Sequence, residues 1–162
     1  MNIYLLRHGQ AEPAAEGKTD AERALTPEGE KTIRDILPGL KKMVEQVEYS
    51  LTSPAARAVR TATILAEYYK CVDFLEIKNE LGGSGGEASV GAYLNKLIGK
   101  DHVVVVGHEP YLSDLAKYLC GNPDGALNLK KGGMAKIYVA GFPGPGEGQL
   151  RWTMTPEELA RV

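Results

Sequence analysis

Cysteine is scarce in this chain, positive charge is not in excess, and no long apolar run occurs; each shortage excludes a class of protein. Cys71 and Cys120 are isolated, without the C-x-x-C spacing of a zinc or dithiol site, so the natural compartment is a reduced cytoplasm. Lys and Arg number 19 against 21 Asp and Glu, a formal charge of −2, which argues against the basic stripe a nucleic-acid binder needs. No stretch approaches the roughly 18 consecutive apolar residues of a membrane span. The first residues show no basic and then apolar leader. A metal or disulfide staple is not required either, because 162 residues suit one ordinary domain, 1–162, that buries most of its apolar surface. The run Gly82-Gly83-Ser84-Gly85-Gly86 has no strand feeding it and the wrong spacing for a dinucleotide fingerprint, and reads as a flexible loop.

What is present is concentrated at two strand ends. Residues 2 to 9, Asn-Ile-Tyr-Leu-Leu-Arg-His-Gly, form an apolar run that stops at Arg7-His8-Gly9. Its length suits a buried strand better than a helix. Residues 102 to 108, His-Val-Val-Val-Val-Gly-His, repeat the construction, and four consecutive valines predict a parallel strand buried on both faces. His8 and His108 would then project from the same sheet edge, where open α/β sheets bind ligands. Between them runs Thr52-Ser53-Pro54-Ala55-Ala56-Arg57, with Ser53 read as a helix N-cap and Pro54 as the first helical residue. Arg57 falls in the opening turn of that helix, where the dipole and the guanidinium fork both favour an anion. Gly9 would let the backbone approach a ligand closely.

Strand and helix patterns alternate along the rest of the chain without an internal repeat. Residues 11 to 25 read as a solvated loop. A helix is predicted from Thr26-Pro27, kinked or interrupted at Pro38-Gly39, with a second piece through about Val44. A short strand at Tyr49–Ser53, a helix at Pro54–Tyr69 and a short strand at Phe74–Ile77 follow. Next come a helix near Ala88–Ile98, the valine strand, and a helix at Tyr111–Leu119. Met134–Ala140 and Gln149–Thr153 have strand character, read as an antiparallel pair at one edge. This predicts an α/β three-layer sandwich with a mostly parallel central sheet and helices on both faces.

Arg7-His8-Gly9, Ser53-Pro-x-x-Arg57-Ala-x-x-Thr61-Ala62 and Gly107-His108, in that order, resemble the histidine phosphatase superfamily, whose fold is phosphoglycerate mutase-like. The short length, Asp20-x-x-Arg23-x-Leu25-Thr26-Pro27-x-Gly29, Gly107-His108-Glu109-Pro110 and Trp152-Thr153-Met154-Thr155-Pro156 are similar to its small SixA-type phosphohistidine phosphatases. The resemblance implies a hydrolase with no cofactor and no metal, acting through a phosphohistidine intermediate on His8. Arg7, Arg57 and His108, the last protonated beside a dianionic phosphate, would stabilise the transferring oxygens. For attack, His8 must be neutral at one ring nitrogen while the other donates to an acceptor, with the Gly9 carbonyl a candidate. The expected partner is a phosphohistidine-bearing signalling protein, with small phosphate esters the alternative and a phosphate-binding module without turnover a further one.

Other residues carry weaker signals. Gly9, Gln10, Arg23 and Glu109 are substrate-binding candidates, although Gln10 fits a loop, Arg23 fits an ion pair with Asp20, and Glu109 fits a carboxylate at a helix start. Glu80 is roughly where larger superfamily members carry a general acid, yet Asn79-Glu80-Leu81-Gly82-Gly83 resembles the SixA branch, which lacks it; a solvated loop glutamate is the expectation. Arg60 reads as solvating a helix face, Lys130-Lys131 as a solvated turn, and His102 as lying at the wrong end of its strand.

Overall fold

The computed structural model describes residues 1–83, 86–125 and 127–162. Six strands form one sheet: β1 (Asn2–Arg7), β2 (Tyr49–Thr52), β3 (Leu75–Ile77), β4 (His102–Gly107), β5 (Met134–Val139) and β6 (Gly148–Met154), in the order β3-β2-β4-β1-β5-β6. The first four in that order run parallel, and β5 and β6 are antiparallel to their neighbours. The helices are α1 (Pro27–Met43), α2 (Ala56–Tyr69), α3 (Glu87–Lys96), α4 (Tyr111–Cys120) and the short α5 (Pro156–Leu159). The architecture is the expected three-layer α/β sandwich with an antiparallel edge.

Strand alternation sorts the core into two layers. Tyr4 and Leu6 of β1 and Val104 and Val106 of β4 pack with Ile33, Ile36 and Leu40 of α1 and Ile64 and Leu65 of α2. Ile3, Leu5, Val103 and Val105 point to the other face, against Val90 and Leu94 of α3 and Leu112, Leu115 and Leu119 of α4. Two covered faces explain why these strands read as continuous apolar runs. Burying each such side chain contributes about 1.5–3 kcal/mol.

Two local expectations are corrected. α1 is one uninterrupted helix although Pro38 lies inside it. Continuing the helix buries Ile36, Leu37 and Leu40, and that burial outweighs the roughly 3 kcal/mol cost of an internal proline. Gly39 is there for contact: a Cβ at that position would stand 1.9 Å from the Leu159 carbonyl oxygen of α5. The second correction is that α2 begins at Ala56 with Ala55 as its N-cap, so Ser53 is not the cap. Ser53 turns its hydroxyl elsewhere, as described below.

The topology opens a crevice where it is needed. β1 and β4 are adjacent, but β1 leads to α1 on one face whereas β4 leads to α4 on the other. Two chains leaving neighbouring strand ends toward opposite faces separate from one another, which is the switch point that favours ligand binding in such sheets.

Candidate active site

Strand register brings the site together. Arg7 is paired with Gly107, so the next residues, His8 and His108, emerge side by side. The His8 amide donates to the Gly107 carbonyl at 3.1 Å, and the two imidazole centroids are 4.9 Å apart. β2 ends beside them, with the Ser53 amide donating to the Val106 carbonyl at 3.0 Å. α2 then starts within two residues of Pro54 and carries Arg57 in its first turn. A cleft of about 340 Å³ lies beyond these ends, lined among others by Asp20, Ser53, Arg57, Leu81, His108 and Tyr111. His8, at 6% exposure, lies beside Arg57 and His108, which line that cleft.

The His8 ring is fixed by two hydrogen bonds. Nδ1 lies 2.6 Å from the Gly9 carbonyl oxygen, and the Arg57 Nε–H donates to Nε2 at 3.3 Å. A carbonyl can only accept and a guanidinium can only donate, so Nδ1 carries the proton and Nε2 presents a lone pair. Arg57 is also tied to Asp20: Nη1 donates to the backbone carbonyl at 2.7 Å and Nη2 to Oδ2 at 2.8 Å. Arg23 donates from Nη1 to Asp20 Oδ1 at 2.9 Å and from Nε to the Glu12 carbonyl at 2.7 Å.

His108 and Arg7 are held from the other side. His108 Nε2 is 2.7 Å from Ser53 Oγ, which also accepts from the Ala55 amide at 3.3 Å. Arg7 donates from Nη1 to the Leu129 carbonyl at 2.7 Å. Glu109 braces that same segment, accepting from the Leu129 amide at 3.2 Å and from the Ser113 hydroxyl at 2.5 Å. Glu109 thus stands at the cleft with both carboxylate oxygens engaged, and it reaches Arg7 through the backbone of Leu129. His108 Nδ1 and Arg7 Nε are buried with no hydrogen-bond partner.

Burial and neighbouring cations keep both imidazoles neutral. Burial pushes His8 down from 6.5 to about 4, with His108, Arg57 and Arg7 adding to it and the bond to Gly9 opposing it. Burial likewise pushes His108 down to about 4, reinforced by Arg57 and Arg7 and opposed by Asp20. Two nearby guanidinium groups disfavour a third cation, so the protonated His108 expected beside a dianionic phosphate requires that dianion to restore its proton. The chain has three histidines, so ring-proton NMR can follow each one. The His8 and His108 resonances, assigned with single-alanine variants, should titrate near pH 4 in the free protein, and excess orthophosphate should raise that of His108. A His108 midpoint near 6.5 without ligand would contradict the environment described. Because both folded-state values lie below the unfolded one, this contribution to stability is complete above about pH 6.5 and is lost as pH falls toward 4.

The remaining candidates separate clearly. Gly9 is not open to a ligand: its amide donates to Thr61 Oγ1 at 3.2 Å, and a Cβ there would meet the Gly29 carbonyl oxygen at 2.9 Å. Its small size admits α1, and its carbonyl sets the His8 tautomer. Gln10 has an exposed side chain, while its carbonyl accepts from the Thr26 amide at 3.0 Å. Arg23 joins the site through Asp20. Arg60 pairs with Glu30 at 2.6 Å, joining α2 to α1. Glu80 is half-buried in a turn, Asn79–Gly82, from which Leu81 and Gly82 line the cleft and Glu80 does not. His102, at the far end of β4, bonds the Tyr4 hydroxyl at 2.9 Å. Lys130 and Lys131 are exposed. Of the glycine-rich loop, Ser84 and Gly85 lie outside the described residues.

Sequence reasoning missed the roles of Ser53 and Asp20. Ser53 stood directly before the Pro-x-x-Arg segment, but its reach to His108 needs the β2–β4 pairing. Asp20 was visible as a partner for Arg23, and its second bond, to Arg57, crosses 37 residues.

A paired-histidine, arginine-lined crevice on this sheet defines a class, and sequence comparison agrees: residues 3–81 match the histidine phosphatase superfamily (branch 1). The chain belongs to that superfamily. It is 28% identical over 161 residues to the phosphohistidine phosphatase SixA of Escherichia coli (strain K12), covering 98% of this chain and 96% of that one. It is 33% identical over 140 residues to an uncharacterized protein of Picosynechococcus sp., covering 83% and 82%. Among solved structures, the protein histidine phosphatase SixA complexed with tungstate superposes with a TM-score of 0.83 at 27% identity, covering 98% and 99% of the two chains. Among the described residues, no helix is long and apolar enough to cross a membrane.

Proposed function

We propose that the chain, a phosphatase of this superfamily, hydrolyses phosphohistidine borne on a signalling protein, through a covalent intermediate on His8. The observation that carries the reading is the His8 ring itself, with its proton held on Nδ1 by the Gly9 carbonyl and its Nε2 lone pair turned into a cationic site. In the first step Nε2 forms a bond to phosphorus as the P–N bond of the substrate breaks. Water then attacks the phosphorylated His8, releasing inorganic phosphate and returning the imidazole. Arg7, Arg57 and His108 stabilise the equatorial oxygens, and an oxygen accepting from Arg7 Nε satisfies a group that otherwise costs about 1–3 kcal/mol unpaired.

The leaving group follows from what the cleft offers as an acid. Its two lining carboxylates are both committed, Asp20 to two arginines and Glu109 to Ser113 and Leu129. The arginines hold the Asp20 carboxyl below the usual carboxylate range, which disfavours the protonated form a general acid needs. An alkoxide leaving from a phosphomonoester requires such an acid; an imidazole leaving from a phosphoramidate takes its proton from solvent or His108. Likeness to SixA over the whole chain supports the same choice. The test compares dephosphorylation of a phosphohistidine-bearing phosphotransfer domain with a panel of phosphomonoesters, with chelator present. Preference for the phosphoprotein by at least about 10²-fold in kcat/KM is expected from the missing general acid. Faster turnover of monoesters would overturn it.

A further inference from the structure

Arg57 has each of its nitrogens engaged: Nε with His8, Nη1 with the Asp20 carbonyl and Nη2 with Asp20 Oδ2. The other oxygen of that carboxylate, Oδ1, takes Nη1 of Arg23. Asp20 and Ala21 line the cleft together with Ser53, Arg57 and His108. One carboxylate at the crevice therefore joins Arg23 to Arg57, the guanidinium that lines it.

The element that carries it is lightly attached. Asp20–Glu22 form a single 3-10 turn with no buried residue, closed on itself by the Thr19 amide donating to Glu22 Oε2 at 2.7 Å. The turn meets the body of the protein through the Asp20 bonds to Arg57 and the Arg23 bond to the Glu12 carbonyl. The Asp20 side chain is 68% exposed while that of Arg57 is 9% exposed, so separating the pair returns Asp20 to water and leaves Arg57 in need of another anion.

Resting on the phosphatase reading above, we infer that Asp20 is a displaceable internal anion: it holds Arg57 and Arg23, and an incoming phosphoryl group takes Arg57 from it and releases the turn. Arg57 holds Asp20 through one carboxylate oxygen and the backbone carbonyl, two acceptors that two oxygens of a phosphoryl group can replace at the same guanidinium edge. A dianion wins that exchange where a monoanion does not, because Asp20 is itself a monoanion. Asp20 thereby discriminates in favour of fully ionised phosphoryl groups and against carboxylates.

Tungstate binding measured calorimetrically on the whole chain tests this independently of turnover, with wild type, Asp20→Asn, Asp20→Ala and Arg57→Ala compared at low and high salt. Removing the competing charge should tighten tungstate binding roughly tenfold in both Asp20 variants, the gain shrinking at high salt. It should also lower KM for substrate more than it changes kcat. Unchanged or weaker tungstate binding in both Asp20 variants, with thermal midpoints and wild-type binding intact, would overturn the inference and make Asp20 a fixed support for Arg57. Failure of wild type to bind tungstate, or binding indifferent to Arg57→Ala, would instead overturn the phosphate site and this inference with it.

Discussion

His8→Ala is expected to lower kcat by about 10⁴–10⁶-fold, the scale on which a nucleophile's loss is felt when no neighbour can replace it. His108 is the other imidazole in the crevice, and its Nε2 is hydrogen-bonded to the Ser53 hydroxyl. The fold should survive. The lost side chain gives up one hydrogen bond to the Gly9 carbonyl and one from Arg57, contacts worth about 1 kcal/mol each. The backbone bond from the His8 amide to Gly107 remains. Acid-labile phosphate trapped on the enzyme by rapid quench should appear in wild type and vanish in the variant. Trapped phosphate in His8→Ala would move the nucleophile to another residue.

Arg57→Ala carries the second large effect, a loss of about 10²–10³ in kcat/KM, as when one preorganised charge donor is removed from a transition state. Three consequences should accompany it. The turn carrying Asp20 loses its main tie, so amides 19–23 should exchange faster with solvent. Both imidazoles lose a cation that depresses them, so the titrations of His8 and His108 should move upward. Stability should fall by only about 1 kcal/mol, because Asp20, left behind, is largely exposed and the buried His8 loses a single hydrogen bond. Arg57→Lys should recover only part of the loss, since an ammonium cannot bond His8 and an anion as a planar fork does. Unchanged kinetics in Arg57→Ala would place the guanidinium outside the reacting site.

These effects originate in a division between what can be read along the chain and what arises across it. The two buried strands were legible because Ile3–Leu6 and Val103–Val106 are apolar without alternation, and strands covered on both faces are the elements that show that pattern. His8, Arg57 and His108 were legible as candidates because each stands at the junction of such an element with a loop or helix. Pro38 was misleading for the converse reason. Local propensity marks it as an interruption, whereas the burial of Ile36, Leu37 and Leu40 against the sheet is a tertiary contribution that propensity does not contain. Ser53 was misread similarly, as a cap for the nearest helix, because its actual partner stands just past the end of a strand, 55 residues away.

Residue order alone thus determined the class of fold, the two strand ends bearing His8 and His108, and the helix start bearing Arg57, since periodicity, strand composition and turn chemistry are local properties. Tertiary structure decided which atoms act. The β1–β4 register set the 4.9 Å separation of the imidazoles, the Gly9 carbonyl and Arg57 fixed the His8 tautomer, and the packing of a distant turn put the Asp20 carboxylate on Arg57. Hydrogen bonds and desolvation depend on distances of a few tenths of an ångström between segments far apart in the chain, and those distances exist only once the sheet has formed.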